Sequence, residues 1–264
     1  SKFNSELNIL SRVRHRNVVQ FVGAVTVQPN LCIVMEFCPC GDLADLLGRQ
    51  RAAMKRLPEP EVRAMLAQLT SALAHIHAAR IVHRDIKTSN LFITRDKVLK
   101  IMDFGLARED DYESDDNQAL TIEGEILGTP HYLSPEQAEA AQIDHRADIY
   151  TAGATFYHVF TGNVPFDDKK LLRIIRAHLN KRPKLPSERN ADVPQIIDDV
   201  NMKMMEKKPE TRFQSCDEIL TALKSLQGEE MAVVSEQVFD FPEADLFLLI
   251  KEGIRENWFA QERV

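Results

Sequence analysis

The segment of residues 81–92 constrains this chain more than any other part of the sequence. Apolar residues flank a polar centre, which predicts a strand, a tight loop and a second strand. The loop carries a carboxylate, a cation and an amide in the order H-R-D-x-K-x-x-N, at Asp85, Lys87 and Asn90. An Asp-Phe-Gly triplet begins at Asp103, thirteen residues after Asn90 and directly behind an apolar run. Two loops that each end a strand can bring Asp85, Asn90 and Asp103 around one point.

Composition and charge bound the classes of protein to which the chain can belong. Its 264 residues, 44% hydrophobic and 28% charged, suit one or two globular domains with a buried core. A net charge of −7 argues against a nucleic-acid binder, which usually carries a basic face. Only four cysteines are present, so we expect no disulfide framework and a reducing, cytoplasmic location.

The sequence contains no apolar run long enough to cross a bilayer and no signal peptide. This observation does not bear on a membrane anchor outside the chain. The chain starts with Ser1 rather than Met and enters a helical pattern at once. We therefore expect it to be a piece of a longer protein.

Taken together, the motifs resemble the catalytic domain of a Ser/Thr protein kinase, whose catalytic loop and metal-binding triplet have this spacing. The resemblance covers about residues 2–226 and implies an α+β, two-lobe fold. It implies a mainly helical C-lobe and a partial β N-lobe that lacks the first three strands. The implied reaction transfers the γ-phosphate of Mg·ATP to Ser or Thr hydroxyls of protein substrates. Lys87 and Thr129 favour Ser or Thr as acceptor, because tyrosine kinases differ at both places.

The resemblance also implies roles for the residues of the two loops. Asp85 would accept or orient the proton of the attacking hydroxyl, and Lys87 would neutralise charge on the transferred phosphoryl group. Asn90 and Asp103 would hold Mg²⁺, a hard cation that needs oxygen ligands. Phe92 would lie beneath the adenine. A lone aspartate in a loop is usually a turn residue, but the match at several positions outweighs that alternative.

Residues 31–38 end a β-rich run and resemble the hinge between kinase lobes. By this resemblance the main chains of Glu36 and Cys38 would pair with the adenine edge, and Asp42 would approach the ribose. The sequence Cys-Pro-Cys at 38–40 is also compatible with half of a metal site. No second closely spaced Cys or His pair completes four ligands, which argues against that alternative.

Residues 2–14 have helical spacing and resemble the kinase helix C. Glu6 would then be the glutamate that pairs with a lysine on the preceding strand. From spacing alone Glu6 is equally compatible with a solvated helix residue. The following H-R-N-V-V-Q-F, residues 15–21, favours the kinase interpretation.

Several further elements are predicted. We expect antiparallel strands at about 18–25 and 31–37, and helices at about 58–79, 144–161, 168–179, 194–206 and 215–226. By resemblance Asp148 would anchor the catalytic loop and Arg212 would pair with Glu136. Residues 229–264 are predicted to form one amphipathic helix of unknown role. The expected divisions are 1–37, 38–227 and 228–264.

The acidic residues 109–116 predict a solvated activation segment. Arg84 precedes the predicted catalytic aspartate, and in the family such an arginine commonly pairs with a phosphate on this segment. Thr121 is the predicted phosphate site, and Ser114 is the weaker candidate.

One departure from the family matters. The Gly-rich loop and the lysine of the third strand should precede helix C, yet only five residues precede Glu6. Either the chain is a fragment of an active kinase, expected to be inactive alone, or it is a pseudokinase that serves as a binding or scaffold module. The intact Asp85, Asn90 and Asp103 favour the fragment. A small-molecule phosphotransferase is a third alternative, against which the substrate-positioning segment 128–136 argues.

Some stretches of the sequence resemble NIMA-related kinases, but others are more similar to the eukaryotic-like Ser/Thr kinases of bacteria, and we favour the bacterial kind.

Overall fold

A computed structural model describes residues 12–27, 30–104, 108–109, 121–122, 125–126, 130–224, 247–252 and 259–263. These residues form a small antiparallel sheet and a larger helical region, which confirms the predicted α+β fold. The strands are β1 (Phe21–Val27), β2 (Asn30–Met35), β3 (Ile81–Val82), β4 (Leu91–Ile93), β5 (Leu99–Ile101), β6 (Arg108–Glu109), β7 (Thr121–Ile122), β8 (Glu125–Ile126), β9 (Phe247–Glu252) and β10 (Phe259–Arg263). The helices are α1 (Leu43–Ala52), α2 (Glu59–Ala78), α3 (Pro135–Ala138), α4 (His145–Thr161), α5 (Leu171–Asn180), α6 (Pro186–Arg189), α7 (Gln195–Met204) and α8 (Cys216–Lys224).

The predicted pair of strands near the start of the chain is confirmed. β1 and β2 are antiparallel, with Val27 opposite Asn30 and Phe21 opposite Met35. β1 begins later than predicted because the residues before it bond elsewhere. Val18 bridges to Ile101 and the Val19 N–H donates to the Ile101 carbonyl at 2.9 Å. The first residues of the predicted strand therefore join the small sheet to β5.

The prediction of one helix across residues 229–264 is wrong for the residues that the structure describes there. β9 and β10 form an antiparallel hairpin, and β9 pairs with β2 through Cys32–Glu252 and Ile33–Lys251. The small sheet thus has four strands in the order β1-β2-β9-β10, rather than the two that were expected. A short apolar run cannot be assigned to helix or strand by periodicity alone, and the edge of β2 offers backbone donors and acceptors to a strand.

The helical region is organised around α2 and α4. An apolar stripe on α2 is buried and consists of Val62, Met65, Leu66, Leu69, Leu73 and Ile76. Pro58 and Pro60 occupy its N-terminal turn, where a missing N–H costs little. α2 packs against α4 and α8, and α4 is buried along almost its whole length. The Asp144 side chain caps α4, and Gly162 ends the helix at φ +71°.

The other predicted helices are present, each within three residues of its predicted start. Ser215 caps α8, since its hydroxyl accepts from the Glu218 N–H at 3.3 Å. The Glu218 carboxylate accepts from the Gln214 N–H instead of closing the reciprocal capping box. In the described part of the chain, none of the helices combines the length and apolar character that crossing a bilayer requires.

Candidate active site

The catalytic loop is attached to α4 through Asp148. This fully buried carboxylate accepts from the backbone N–H of His83 at Oδ2 and of Arg84 at Oδ1, both at 2.8 Å. The His77 Nε2–H on α2 donates to Oδ2 at 2.9 Å. Burial alone would raise the pKa of Asp148, but the His77 hydrogen bond and charge, with the His83 N–H, hold it below the ordinary value. The predicted anchoring role of Asp148 is therefore confirmed in geometry.

Behind His77 lies a contact that sequence reasoning did not predict. The Cys216 thiol on α8 lies 3.7 Å from His77 Nδ1. Burial raises the pKa of Cys216, so this group is a neutral thiol and can donate to the imidazole. The Asp148 bond at Nε2 and the thiol contact at Nδ1 therefore occupy both ring nitrogens of His77. No local sequence pattern connects these two residues, which lie far apart in the chain.

His83 joins the catalytic loop to the strand that ends at Asp103. Its Nε2–H donates to the Met102 carbonyl at 3.2 Å, and its Nδ1 accepts from the Asp85 N–H at 3.3 Å. The imidazole also packs against the Phe104 ring, with centroids 4.9 Å apart. A single buried side chain therefore sets the position of both predicted functional loops.

Three of the predicted residues meet at the Asp85 carboxylate. Lys87 Nζ donates to Asp85 Oδ2 at 2.8 Å, and Asn90 Nδ2 donates to the same oxygen at 2.9 Å. Asn90 Nδ2 also donates to the Asp85 backbone carbonyl at 2.8 Å. The Asp85 side chain is 20% exposed, so the carboxylate is both held and reachable. Both of these side-chain donors bond Oδ2 rather than Oδ1.

Asn90 and Asp103 lie at the same end of the β4–β5 hairpin. Leu91 pairs with Ile101 in that hairpin, and the Met102 N–H donates to the Asn90 carbonyl at 2.9 Å. Asp103 has φ +70°, a left-handed conformation that costs a non-glycine residue about 1–3 kcal/mol. Such strain is concentrated at functional sites, where the surrounding structure maintains it.

The donors present at this end of the hairpin fit Mg²⁺. The Asn90 amide nitrogen is committed to Asp85, which leaves the amide oxygen for a cation. Together with the Asp103 carboxylate it supplies hard oxygen ligands, and Mg²⁺ commonly takes its remaining ligands from water and substrate phosphates. Within the described ranges no three His, Cys, Asp or Glu side chains form a metal cluster. Cys38 and Cys40 are free, buried thiols.

A small apolar cluster lies beside the hinge, where the adenine is predicted. It contains Val19, Cys38 and Met102, with the half-buried Met35 and Phe92 packed against it. Burial, followed by the nearby Glu36 charge, raises the pKa of Cys38 to about 12, so its thiol is neutral. Val19 and Met102 were not predicted here. The place of Met102 directly before the Asp-Phe-Gly triplet was the signal that could have found it.

The hinge residues have defined structural partners. The Glu36 N–H donates to the Gln20 carbonyl at 2.8 Å, and Lys100 Nζ binds the Glu36 carboxylate at 2.8 Å. Asp42 caps α1, because its Oδ1 accepts from the Asp45 N–H at 2.8 Å. Burial raises the pKa of Asp42. Sequence reasoning missed this capping role, and the ribose contact of Asp42 stays a prediction.

The segment that follows the activation segment is fixed by the predicted ion pair. Arg212 Nη1 and Nη2 donate to the two Glu136 oxygens at 2.6 and 2.7 Å, with both side chains buried. A full capping box at Ser134 and Gln137 starts α3, and Gln137 Nε2 donates to the Arg84 carbonyl at 2.7 Å. The segment is thereby tied to the catalytic loop.

Some predicted residues fall where the structure makes no statement. Glu6, Gly105, Ser114 and Thr129 lie outside the described residues. Thr121 begins β7, which pairs with β8, but its side chain is not described. The roles predicted for these residues stay predictions.

Comparison with known proteins agrees with the kinase resemblance. Residues 1–223 match the protein kinase domain family. A probable serine/threonine-protein kinase of Clostridium acetobutylicum is 31% identical over 227 residues, which cover 86% of this chain and 33% of the relative. Two serine/threonine-protein kinases of Myxococcus xanthus are 31% and 36% identical, over 87% and 84% of this chain and 42% and 26% of theirs.

Relatives of this kind are found in bacteria and in a plant. A serine/threonine-protein kinase of Arabidopsis thaliana is 32% identical over 75% of this chain and 33% of its own length. The chain therefore spans about a third of the curated relatives that it matches. With the family matching residues 1–223 and the catalytic loop assembled as described, the chain belongs to the protein kinase domain family.

Proposed function

We propose that the protein to which this chain belongs is a Mg·ATP-dependent serine/threonine protein kinase. The observation that carries the proposal is the Asp85 carboxylate, which is bonded to Lys87 and Asn90 in a loop that Asp148 fixes to α4. The names of the relatives support the same activity. A binding module without catalysis has no chemical need for this set of contacts.

The residues of the site divide the work of phosphoryl transfer. Asp85 Oδ1 accepts a hydrogen bond from the acceptor hydroxyl and takes its proton as the oxygen attacks the γ-phosphorus. The bond from the γ-phosphorus to the β–γ bridging oxygen breaks, and ADP leaves. Lys87 neutralises charge on the transferred group. Asn90 and Asp103 would hold Mg²⁺, which would supply further charge neutralisation on the phosphates.

Adenine binding is assigned to the hinge. The Glu36 carbonyl and the Cys38 N–H would pair with the base. The base would lie between the small sheet on one face and the side chains of Phe92 and Met102 on the other. Phe92, Met102 and Cys38 already pack together there. Flat apolar walls with a few backbone donors and acceptors are typical of such nucleotide sites.

We further propose that an upstream segment supplies the Gly-rich loop and the lysine that would pair with Glu6. Phosphoryl transfer depends almost wholly on positioning and charge stabilisation, and the described residues supply these on the acceptor side. The upstream strand would occupy the edge of β2, which β9 occupies in this structure. A pseudokinase is the alternative, and it predicts no turnover with any length of chain.

The test is transfer of the γ-phosphate to a generic Ser/Thr substrate by the full-length protein, by its Asp85→Asn variant and by residues 1–264 alone. The Asp85→Asn change should lower kcat by about 10²–10⁴-fold, the usual contribution of a general base, while nucleotide binding is kept. Residues 1–264 alone should turn over negligibly. Asp96→Asn, in the exposed turn between β4 and β5, is the matched control and should retain activity. An Asp85→Asn variant within a factor of two of the parent would remove Asp85 from this role.

A further inference from the structure

A cavity of about 510 Å³ lies in the helical region, away from the catalytic loop. It is formed by the loop before α5 and by one face of α5. Its apolar lining consists of Pro165, Phe166, Ile174 and Ala177. Its polar lining consists of Asp167, Asp168, Arg173, Arg176, Lys181 and Arg189. An apolar floor with a charged rim is the general form of a site that binds part of another molecule.

The floor of this cavity is held in place by the side chains of His178 and Lys207. The Phe166 ring meets the His178 ring edge-on, with centroids 4.9 Å apart, and Lys207 Nζ lies 5.0 Å from the Phe166 centroid. Lys207 also donates to the Tyr150 hydroxyl at 3.0 Å. Burial, assisted by the nearby Arg212, lowers the pKa of Lys207 to about 8. These contacts fix Phe166, so a ligand meets a floor that is already ordered.

The rim carries more positive than negative charge. Four cations, Arg173, Arg176, Lys181 and Arg189, face two carboxylates, Asp167 and Asp168. Arg173 forms an ion pair with Asp168 at 3.4 Å, yet its side chain remains 64% exposed. The rim is therefore basic, although the chain as a whole has a net charge of −7. A basic rim favours an acidic ligand.

The cavity lies beside His131, in the segment 128–136 that the kinase resemblance assigns to positioning of the protein substrate. The His131 carbonyl in that segment accepts from His178 Nε2–H at 3.0 Å. His131 Nε2 lies 3.7 Å from Asp167 Oδ1 on the cavity rim. Leu171 and Leu172, in the first turn of α5, are 48% and 67% exposed. A substrate at the catalytic loop can therefore extend over His131 onto the α5 surface.

We propose that this cavity binds an acidic segment of the protein substrate, distinct from the residues that flank the acceptor hydroxyl. Carboxylates of that segment pair with Arg173 and Arg176, and an apolar side chain rests on Phe166. The proposal rests on the proposed kinase function, because the partner is identified from the position of the cavity beside His131. It adds a charge preference that the catalytic loop itself does not contain.

The test compares two peptides with the full-length protein. Both peptides carry the same Ser/Thr acceptor and a flexible linker, followed either by a run of glutamates or by an equally long run of glutamines. Linkers of several lengths are used, so that the distance between the acceptor and this run is varied. The glutamate peptide should have a KM lower by about 10-fold at low salt, since exposed ion pairs each contribute modestly. The kcat should be unchanged, as expected for binding that does not differ between ground and transition states.

Variants locate the effect. Arg173→Glu with Arg176→Glu should abolish the difference in KM and should favour a peptide with a lysine run. Both side chains are exposed, so the fold should tolerate the change. Lys224→Glu, at the exposed end of α8, is the matched control and should keep the preference. Equal KM values for the glutamate and glutamine peptides, or an equal loss in Lys224→Glu, would overturn the proposal.

Binding measured separately by fluorescence anisotropy distinguishes this inference from the proposed function. Phosphorylation of both peptides with equal affinity would refute the acidic site while leaving the kinase function in place. Charge-dependent binding that the Arg173→Glu/Arg176→Glu change removes, without phosphorylation of either peptide, would refute the kinase function but support the site. If sedimentation shows self-association that the same change removes, the occupant is a second copy of the chain, and the assignment to a substrate is overturned.

Discussion

The catalytic loop is bonded to the helical region through buried side chains, whereas the β1–β2 pair is joined mainly by its own backbone ladder. The loop takes bonds from Asp148, Gln137 and Thr155, and its own His83 reaches back to Met102. On β1, Val22 and Val25 are exposed. The catalytic loop is thus ordered by buried side chains, whereas β1 and β2 depend more on pairing between backbones. The comparison implies that the helical region orders the catalytic loop without help from β1 and β2.

The largest expected effect follows from removing Asp148. In Asp148→Ala the N–H groups of His83 and Arg84 lose a charged acceptor in the interior, which should cost about 3–5 kcal/mol of unfolding free energy. The catalytic loop would also shift, and a displacement of about 1 Å can lower kcat by about 10²-fold. Both quantities can be measured, by denaturant titration and by phosphate transfer in the full-length protein.

Asp144→Ala is the control for that change, since Asp144 lies on the same helix but serves as its cap. It should cost only about 1 kcal/mol and leave kcat nearly unchanged. If Asp144→Ala lowered kcat as much as Asp148→Ala, the loss would come from α4 as a whole and not from the bonds to the loop.

The next effect concerns the ion pair that fixes the segment after the activation segment. Arg212→Leu leaves the Glu136 carboxylate buried without its partner and should lower the free energy of unfolding by about 3–5 kcal/mol. Arg212 also donates to the carbonyls of Arg146, Glu206 and Lys207. The double change Glu136→Leu/Arg212→Leu should therefore recover only part of the loss. A double variant as stable as the parent would show that those carbonyl contacts contribute little.

A smaller effect should appear with pH at His178. Burial, followed by the Lys207 charge, lowers the pKa of His178 to about 3. Because the folded pKa lies below the ordinary value of about 6.5, this group stabilises the fold above that pH. The contribution begins to fall below about pH 6.5 and is lost as pH approaches the folded pKa, with about 2 kcal/mol gone at about pH 5.

The measurement is the free energy of unfolding at neutral and acidic pH for the parent and for His178→Gln. The variant should be less stable at neutral pH but should lose less on acidification. His158, whose pKa burial lowers to about 4, is unchanged in both proteins and so contributes equally. An identical pH dependence in parent and variant would show that His178 does not titrate with folding.

Much of the helical region could be predicted because its signals are local. The stripe on α2, the Ser215 cap and the H-R-D-x-K-x-x-N loop each lie within a short run of sequence. The Arg212–Glu136 and Asp148 contacts were predicted only through the family resemblance. The family resemblance identified these contacts between residues far apart in the chain, which the periodicity of the sequence cannot identify.

What could not be predicted depends on contacts between distant or ambiguous segments. The thiol of Cys216 reaches His77 across more than half of the chain, and neither residue is marked by its neighbours. Residues 247–252 are a short apolar run, and the edge of β2 rather than intrinsic preference decides that they form a strand. Asp42 has two compatible roles, and its position relative to α1 shows the capping one.

The most direct test of the comparison is native-state hydrogen exchange on the full-length protein, with the amides of His83 and Arg84 measured against those of β1 and β2. If the C-lobe preorganises the catalytic loop, the His83 and Arg84 amides should exchange about 100-fold more slowly than the strand amides and approach the limit set by global unfolding. Their protection should fall to the level of the strands in Asp148→Ala. Equal protection of the two regions in the parent protein, or slower exchange in β1 and β2, would contradict the account.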